Sequence, residues 1–490
     1  MSASFDEMLY LFSESGNGKL LSEGNFGLEK ESQRVTPSGD LALTPHPAVF
    51  GDKLENTSVT TDFSESQIEL ITPPLKSVEE TYESMKELQA EAENNIGEEL
   101  LWPLSMPPRL PDEEKIPIAR FKETPEGREK EIYRNGLALR YGKKMQMISG
   151  IHYNFSFSDE MLDFLYERLG KGVDKNSFKN DLYFSLIRNY LRYRWLLIYL
   201  FGSSPTFDDT YRSVIDKELS KVKRCCPECC NIVDQYGEFF TSLRVSRFGY
   251  SNTAQCRKNV SFNNVGEYVA DLKELMKMKS KKYMKLGVFK EGNLIQLNEN
   301  ILQKESEFYS SIRPKQVVKN GESQLEALSK KGIRYLEARI LDINPFEKTG
   351  ISLAELHFLQ VFMLLCLFEE SKAITKSELD VINKNHHLVA LCGRKPVLAL
   401  YKSETVLTTL EDRGSELFQK LKLIAVLMDR EASGKYSKAV EGEYRKLKNN
   451  ALLPSSRILK EMKERNETFL DFGARRAKIN KNETEVKNPL

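Results

Sequence analysis

The chain has 490 residues, with 72 Lys+Arg against 71 Asp+Glu and a formal net charge of +1. That balance excludes a protein that holds nucleic acid by general charge neutralisation, and 27 Gly with 18 Pro is too few for a low-complexity chain. With 40% hydrophobic residues there is ample core without staples, so the composition is that of an ordinary globular enzyme.

The start, MSASFDEMLYLFSES, has neither the basic opening nor the apolar run of a signal peptide. Strand patterns follow at 27–35 and 59–71, then a helix period at 77–96. A third strand is expected over 145–157, then helices over 159–169, 177–200 and 265–278. A fourth strand is expected at 333–343, followed by helices at 353–371, 405–431 and 433–449. The most apolar stretches, 183–201 and 353–368, carry Arg188, Arg192, Arg194, Glu355 and His357 and read as buried helices, not membrane spans. Residues 475–487 read as a frayed basic tail. No βαβα rhythm appears, so the class is α+β, an antiparallel sheet wrapped by helices. Seven cysteines, an odd number, fit a reducing, cytoplasmic setting.

Residues two apart on a strand share a face. Glu29, Glu31 and Gln33 therefore lie together, as do Gln67 and Glu69, with Asp62 in the turn-like TTDF before them. In MQMISGIHYNFSF the alternation places Gln146, Gly150, His152, Asn154 and Ser156 on one face. In IRYLEARILDI it places Tyr335, Glu337 and Arg339 opposite Leu336, Ala338 and Ile340. If the polar faces meet, Glu29, Glu31, Asp62, Glu69 and Glu337 converge with His152. Crowded, desolvated carboxylates need cations. Oxygen ligands with one imidazole suit Mg²⁺ or Mn²⁺ better than zinc, and several such ions point to a nucleoside triphosphate. No GxxxxGK[ST] or strand-linked GxGxxG exists, so the phosphates need metal and basic side chains, for which Arg244, Arg247, Arg313, Lys315 and Arg339 are candidates.

The ordered segments GLEKE, TTDFSESQIELITPP, LWPLSMPP, YRNGLALRYGKKMQMISGIHYNFSF, SLRVSRFGYSN, QLNENILQKESEFYSSIRPK, GIRYLEARILDINPF and CGRKPVL resemble bacterial-type glutamate–cysteine ligases, from about residue 24 to 400 and more loosely to 460. The resemblance implies a glutamine synthetase-like fold, an antiparallel sheet forming a funnel, as one catalytic domain over 1–460 with 461–490 as helix end and tail. It implies ATP as co-substrate and two or three Mg²⁺ ions, with L-glutamate and L-cysteine as the other substrates of a monomer or simple homo-oligomer that binds neither nucleic acid nor membrane. By the same carry-over, Glu29, Glu31, Asp62, Glu69, His152 and Glu337 are metal ligands and Arg339 stabilises the transferring phosphoryl group, with Glu337 beside it. Arg313, Lys315 and Arg339 contact ATP. Gln146, Ile148, Asn154 and Arg244 form the glutamate pocket; Phe63, Tyr133, Arg134, Leu137, Tyr250 and Tyr309 form the cysteine pocket. A gamma-glutamyl ligase for a different amine is the alternative.

Two features stand apart. The cluster Cys225, Cys226, Cys229 and Cys230 is open to three readings: a structural zinc, a redox pair, or an incidental loop. The pair His386–His387 is expected in a surface turn. Some relatives are fused to a glycine-adding domain, for which this sequence shows no counterpart, so the reaction is expected to stop at the dipeptide.

Overall fold

A computed structural model describes residues 3–14, 17–225, 237–249, 259–319, 321–431 and 433–487. Its strands are β1 (Gly24–Val35), β2 (Val59–Thr61), β3 (Gln67–Ile71), β4 (Leu100–Leu101), β5 (Ile151–Phe157), β6 (Phe289–Lys290), β7 (Asn293–Leu294), β8 (Ile312–Lys315), β9 (Tyr335–Leu341), β10 (Ala399–Tyr401) and β11 (Leu407–Thr409). Seven of them form one sheet in the order β2-β3-β1-β5-β9-β8, with β4 paired to β1; β6–β7 and β10–β11 are separate two-stranded pairs. Every pairing is antiparallel, and many helices surround the sheet, so the expected α+β class is what is observed.

The apolar alternate residues face the core. Phe26, Leu28, Ile68, Leu70, Tyr153, Phe155, Leu336 and Ala338 are all buried in one cluster with the helices Lys175–Phe201 and Leu353–Phe368. Those two helices are buried nearly all round, which explains why apolar residues appear on every side of them. Among the described residues no helix is long and apolar enough to cross a membrane. Their polar side chains are consumed internally: Asn189 donates to the carbonyls of Cys366 and Glu369, and Arg188 to that of Asn263.

Two expected strands are shorter than their patterns. The stretch 59–71 is a hairpin, β2–β3, in which Thr61 pairs with Ile68 and Asp62 sits in the loop. The stretch 145–157 becomes strand only at Ile151, because Lys143–Gln146 is a helical turn. The side chains of Gln33 and Gln67 donate to the Met147 and Ile148 carbonyls, at 2.9 and 3.2 Å, and take the place of a strand ladder there. Gln146 therefore does not continue the strand face of His152, whereas the Gly150 carbonyl still accepts from the Glu31 N–H at 3.1 Å.

Two further expectations are corrected. His386 and His387 lie within the helix Lys376–Cys392, not in a surface turn; His386 shares its buried face with Ile382, Asn385, Val389 and Ala390. Its Nε2 lies 2.6 Å from the Val245 carbonyl, and burial holds its pKa well below the usual histidine value. The basic C-terminal stretch is not a frayed tail but belongs to the helix Phe469–Lys487, which packs on β4 and the helix Val78–Asn95. Its arginines are engaged: Arg475 pairs with Glu461 and Glu467, while Arg476 donates to the Pro345 carbonyl.

Candidate active site

The antiparallel register brings the acids together. Glu29 stands opposite His152, Glu31 opposite Glu69, and Glu337 opposite both Asn154 and Arg313. Between the pairs Ile151–Leu341 and Tyr153–Ala338 the β5–β9 ladder shifts, so His152 faces two residues of β9 and Arg339 is turned toward it. The His152 Nδ1 lies 2.8 Å from Glu29 Oε2, 3.7 Å from Glu337 Oε1 and 3.3 Å from Arg339 Nη1, with Nε2 3.6 Å from Glu31 Oε1. Two sets of ligand atoms, Glu29–His152–Glu337 and Glu31–Glu69–His152, each fall within 4.8 Å of one another.

The electrostatics are those of a cation site. Burial and the Asp62 charge push Glu31 up to about 8, against the pull of Arg244 and Arg339. Burial, with Asp62, Glu29 and Glu31, likewise raises Glu69 well above the carboxylate range. Burial also pushes Glu337 up, but Lys315, Arg339 and Arg313 outweigh it and hold the group well below that range. Burial and Arg339 lower His152 and so favour its neutral, ligating form. Glu337 Oε2 is buried without a hydrogen bond, with Lys315 Nζ 3.5 Å away. Hard oxygen donors, one neutral imidazole and an orphaned carboxylate oxygen fit Mg²⁺ or a similar ion.

Two cavities flank the cluster and share Glu29 as a wall. One, of about 240 Å³, is lined by Glu31, Asp62, Glu69, His152, Arg339, Arg313, Gln146, Tyr133, Leu137 and Tyr309. The other, of about 460 Å³, is lined by Gly27, Thr72, Asn154, Ser156, Val317, Arg334 and Tyr335. Asn154 thus lies across the acids from Gln146, with its Nδ2 donating to Glu29 Oε1 at 2.8 Å. Arg244 is buried beside the cluster: Nη2 donates to the Arg339 carbonyl at 3.0 Å and Nη1 lies 3.8 Å from Asp342 Oδ1. Its Nε and Nη1 make no hydrogen bond, nor does Arg339 Nε.

The remaining predicted residues are dispersed. Ile148 and Phe63 are buried in a second apolar cluster and do not line either cavity. Arg134 stacks 4.8 Å from the Phe121 ring, and its Nε donates to the Asp62 carbonyl at 2.5 Å. Tyr250 lies outside the described residues, as do Cys226, Cys229 and Cys230; Cys225 ends the helix Arg212–Cys225. The first cavity also contains Tyr141, Met145, Ser306 and Glu307, which the strand-based reading did not single out. Tyr133, Leu137 and Tyr141 fall at four-residue spacing in the helix Pro125–Tyr141, a signal available from the sequence once that helix is recognised.

The sequence matches the glutamate–cysteine ligase family over residues 9–389. The chain belongs to that family. It is 57% identical to a glutamate–cysteine ligase of Clostridium acetobutylicum over 96% of this chain and 98% of the other, and 38% identical to one of Pseudomonas putida over 97% and 89%. Among solved structures, a glutamate–cysteine ligase of Francisella tularensis in complex with AMP superposes with a TM-score of 0.84 at 35% identity, covering 94% of this chain and 89% of that one. A bifunctional glutathione synthetase of Pasteurella multocida gives a TM-score of 0.76 at 31% identity, with 97% of this chain matching 55% of that one. As a glutamate–cysteine ligase family member the chain is a ligase, and its acid cluster lies at the centre of the shared sheet.

Proposed function

We propose that this ligase joins the side-chain carboxylate of L-glutamate to the amine of L-cysteine at the expense of ATP, giving gamma-glutamylcysteine, ADP and phosphate, the first step of glutathione synthesis. The observation that carries the reading is the juxtaposition of the Glu29–Glu31–Glu69–Glu337–His152 cluster with the unsatisfied guanidinium nitrogens of Arg244 and Arg339. Carboxylates demand cations, and the arginines demand anions; a triphosphate with an amino-acid carboxylate meets both needs.

Glu29, Glu31, Glu69, Glu337 and His152, with Asp62 at the cavity wall, would hold Mg²⁺. When bound, the ions neutralise phosphate charge and align the triphosphate with the acceptor carboxylate. Arg244, buried beside the acids, binds a carboxylate of glutamate through Nε and Nη1, with Gln146 at the wall of the cavity next to the acids. Arg339, Arg313 and Lys315 supply positive charge where the phosphoryl group is transferred. The second cavity, with Asn154, Tyr335 and Arg334, receives the nucleoside end of ATP, so Asn154 serves the nucleotide side instead of the glutamate pocket. The glutamate carboxylate oxygen attacks the terminal phosphorus and ADP leaves. The amine of cysteine, seated against Tyr133, Leu137 and Tyr309, then attacks the acyl carbon, phosphate departs and one N–H proton is released.

The experiment is phosphate release by purified protein with ATP, Mg²⁺ and glutamate across a panel of amines, with product mass. Cysteine-dependent release with a gamma-glutamylcysteine mass is expected. Release with another amine but not with cysteine would replace the acceptor; no amine-dependent release would end the reading.

A further inference from the structure

Arg244 is enclosed by groups that take up only one of its nitrogens. Gly150 leaves the room that the guanidinium fills, and Nη2 donates to the Arg339 carbonyl of β9. Asp342 directly follows β9 and places its Oδ1 3.8 Å from Nη1, with the Arg244 and Asp342 side chains 2% and 0% exposed. That separation is too long for a hydrogen bond but short for a charge pair in a dry interior. Neither of the two facing atoms, Asp342 Oδ1 and Arg244 Nη1, makes a hydrogen bond. The other oxygen of Asp342 is fully engaged. Oδ2 accepts from the Ser203 N–H at 2.8 Å and from the Ser204 hydroxyl at 2.6 Å, which pins the carboxylate. Ser204 Oγ in turn accepts the backbone N–H of Arg244 at 3.2 Å, so backbone and guanidinium are referred to one unit. Buried Ser105 ties the walls together: its Oγ accepts the Ile343 N–H at 2.8 Å and its carbonyl the Ser149 N–H at 3.0 Å.

A proton on Oδ1 would point at the guanidinium, so the surroundings suit the ionised aspartate. Burial raises its pKa, and Arg244 with the bonds from Ser204, Ser203 and Ser242 pulls the other way. We propose that Asp342 is a positioning residue for glutamate recognition, balancing and aiming the Arg244 guanidinium while leaving the hydrogens of Nε and Nη1 open to the substrate carboxylate. The inference rests on the ligase reading above. A buried guanidinium with no counter-charge is strongly destabilising, and without Asp342 it would be drawn toward the acid cluster, where the Glu31 charge already attracts it. An aspartate in direct hydrogen-bonded contact would have the opposite fault, because it would compete with glutamate for the same N–H groups. The gap of 3.8 Å, kept by the two bonds on Oδ2, avoids both.

The test is a double-mutant cycle read in steady-state kinetics with glutamate and ATP varied separately. Asp342→Asn keeps an oxygen for Ser203 and Ser204 and removes the charge. KM for glutamate should rise about tenfold, the scale of a weakened charge-assisted contact, while KM for ATP stays put. Arg244→Lys should raise KM for glutamate as well, and in that background Asp342→Asn should add little, because Asp342 acts through the guanidinium. An unchanged or lowered KM for glutamate in folded Asp342→Asn overturns the inference. So does an equal rise for both substrates, or full additivity with Arg244→Lys, since a merely structural aspartate would neither single out glutamate nor depend on Arg244. If Asp342→Asn does not fold, Ser204→Ala decides: it frees Oδ2 and should give the same glutamate-selective rise, and its failure to do so overturns the inference. Absence of amine-dependent phosphate release in the wild type would instead overturn the ligase reading itself.

Discussion

A β-carbon on Gly150 would stand 2.0 Å from Nη2 of Arg244, so the guanidinium with two unpartnered nitrogens occupies a place that only glycine leaves open. Gly150 is fixed in turn, its N–H donating to Glu31 Oε2 at 2.9 Å. Gly150→Ala must therefore displace either the arginine or the strand carrying Glu31. We expect KM for glutamate to rise at least tenfold, more than KM for ATP, with a stability loss of about 1–3 kcal/mol from overpacking. Steady-state kinetics with each substrate varied checks it; equal effects on both constants would break the link between Arg244 and glutamate.

Neutralising an acid separates chemistry from folding. Glu337→Gln and Glu69→Gln should each lower turnover by about 100-fold or more, the scale of a lost electrostatic element. Thermal melts without metal should not fall for Glu69→Gln, since that carboxylate is crowded by Asp62, Glu29 and Glu31. Near-wild-type turnover in either variant would remove the metal assignment.

Magnesium should stabilise the protein in a pH-dependent way. Glu31, pushed up to about 8, and Glu69, raised well above its ordinary value, must lose protons before they ligate. The rise in melting temperature on adding Mg²⁺, a few °C at saturating ion, should thus be larger at pH 8.5 than at pH 6.5. Differential scanning fluorimetry with and without EDTA measures it, and a shift independent of pH would contradict the site's electrostatics.

A second titration lies far from the chemistry. Burial and Glu355 push Glu443 up to about 7 from 4.5, although Lys446 Nζ lies 2.8 Å from its Oε1. A raised carboxyl pKa means a stability contribution present below the unfolded value and lost as pH rises through the folded one. That loss amounts to about 3 kcal/mol. Glu443→Gln should consequently gain stability relative to wild type between pH 5 and pH 8, as read from denaturant midpoints.

The C-terminal helix gives a packing test. A β-carbon on Gly473 would meet the Trp102 ring at 2.0 Å, and Trp102 is fully buried with its indole N–H on the Met106 carbonyl at 2.9 Å. Gly473→Ala should cost about 1–3 kcal/mol and shift tryptophan emission to the red. An unchanged melt and spectrum would show that this helix does not clamp the sheet edge.

The sequence alone determined the chemistry of the strand faces. Period-two alternation in GLEKES and YLEARIL places Glu29 with Glu31 and Glu337 with Arg339 whatever surrounds them, because a strand offers its side chains no other choice. It determined the two buried helices for a similar reason: stretches with apolar residues on every side, broken only by a few polar ones, leave little solvent face. The glutamate–cysteine ligase resemblance rested on long ordered segments, and the fold and family agree with it. Only the tertiary structure decided which faces meet. Cross-strand register set Glu29 against His152 and Glu31 against Glu69; a register shift set His152 against both Arg339 and Ile340; side-chain amides of Gln33 and Gln67 ended a strand its own pattern would have continued to Met145. The same holds for Asn154, whose amide donates to Glu29 and lines the second cavity, and for Tyr141, whose hydroxyl donates to Glu307, 166 positions away. These are long-range contacts, and a local pattern of residue types carries no information about the partner that a distant segment will supply.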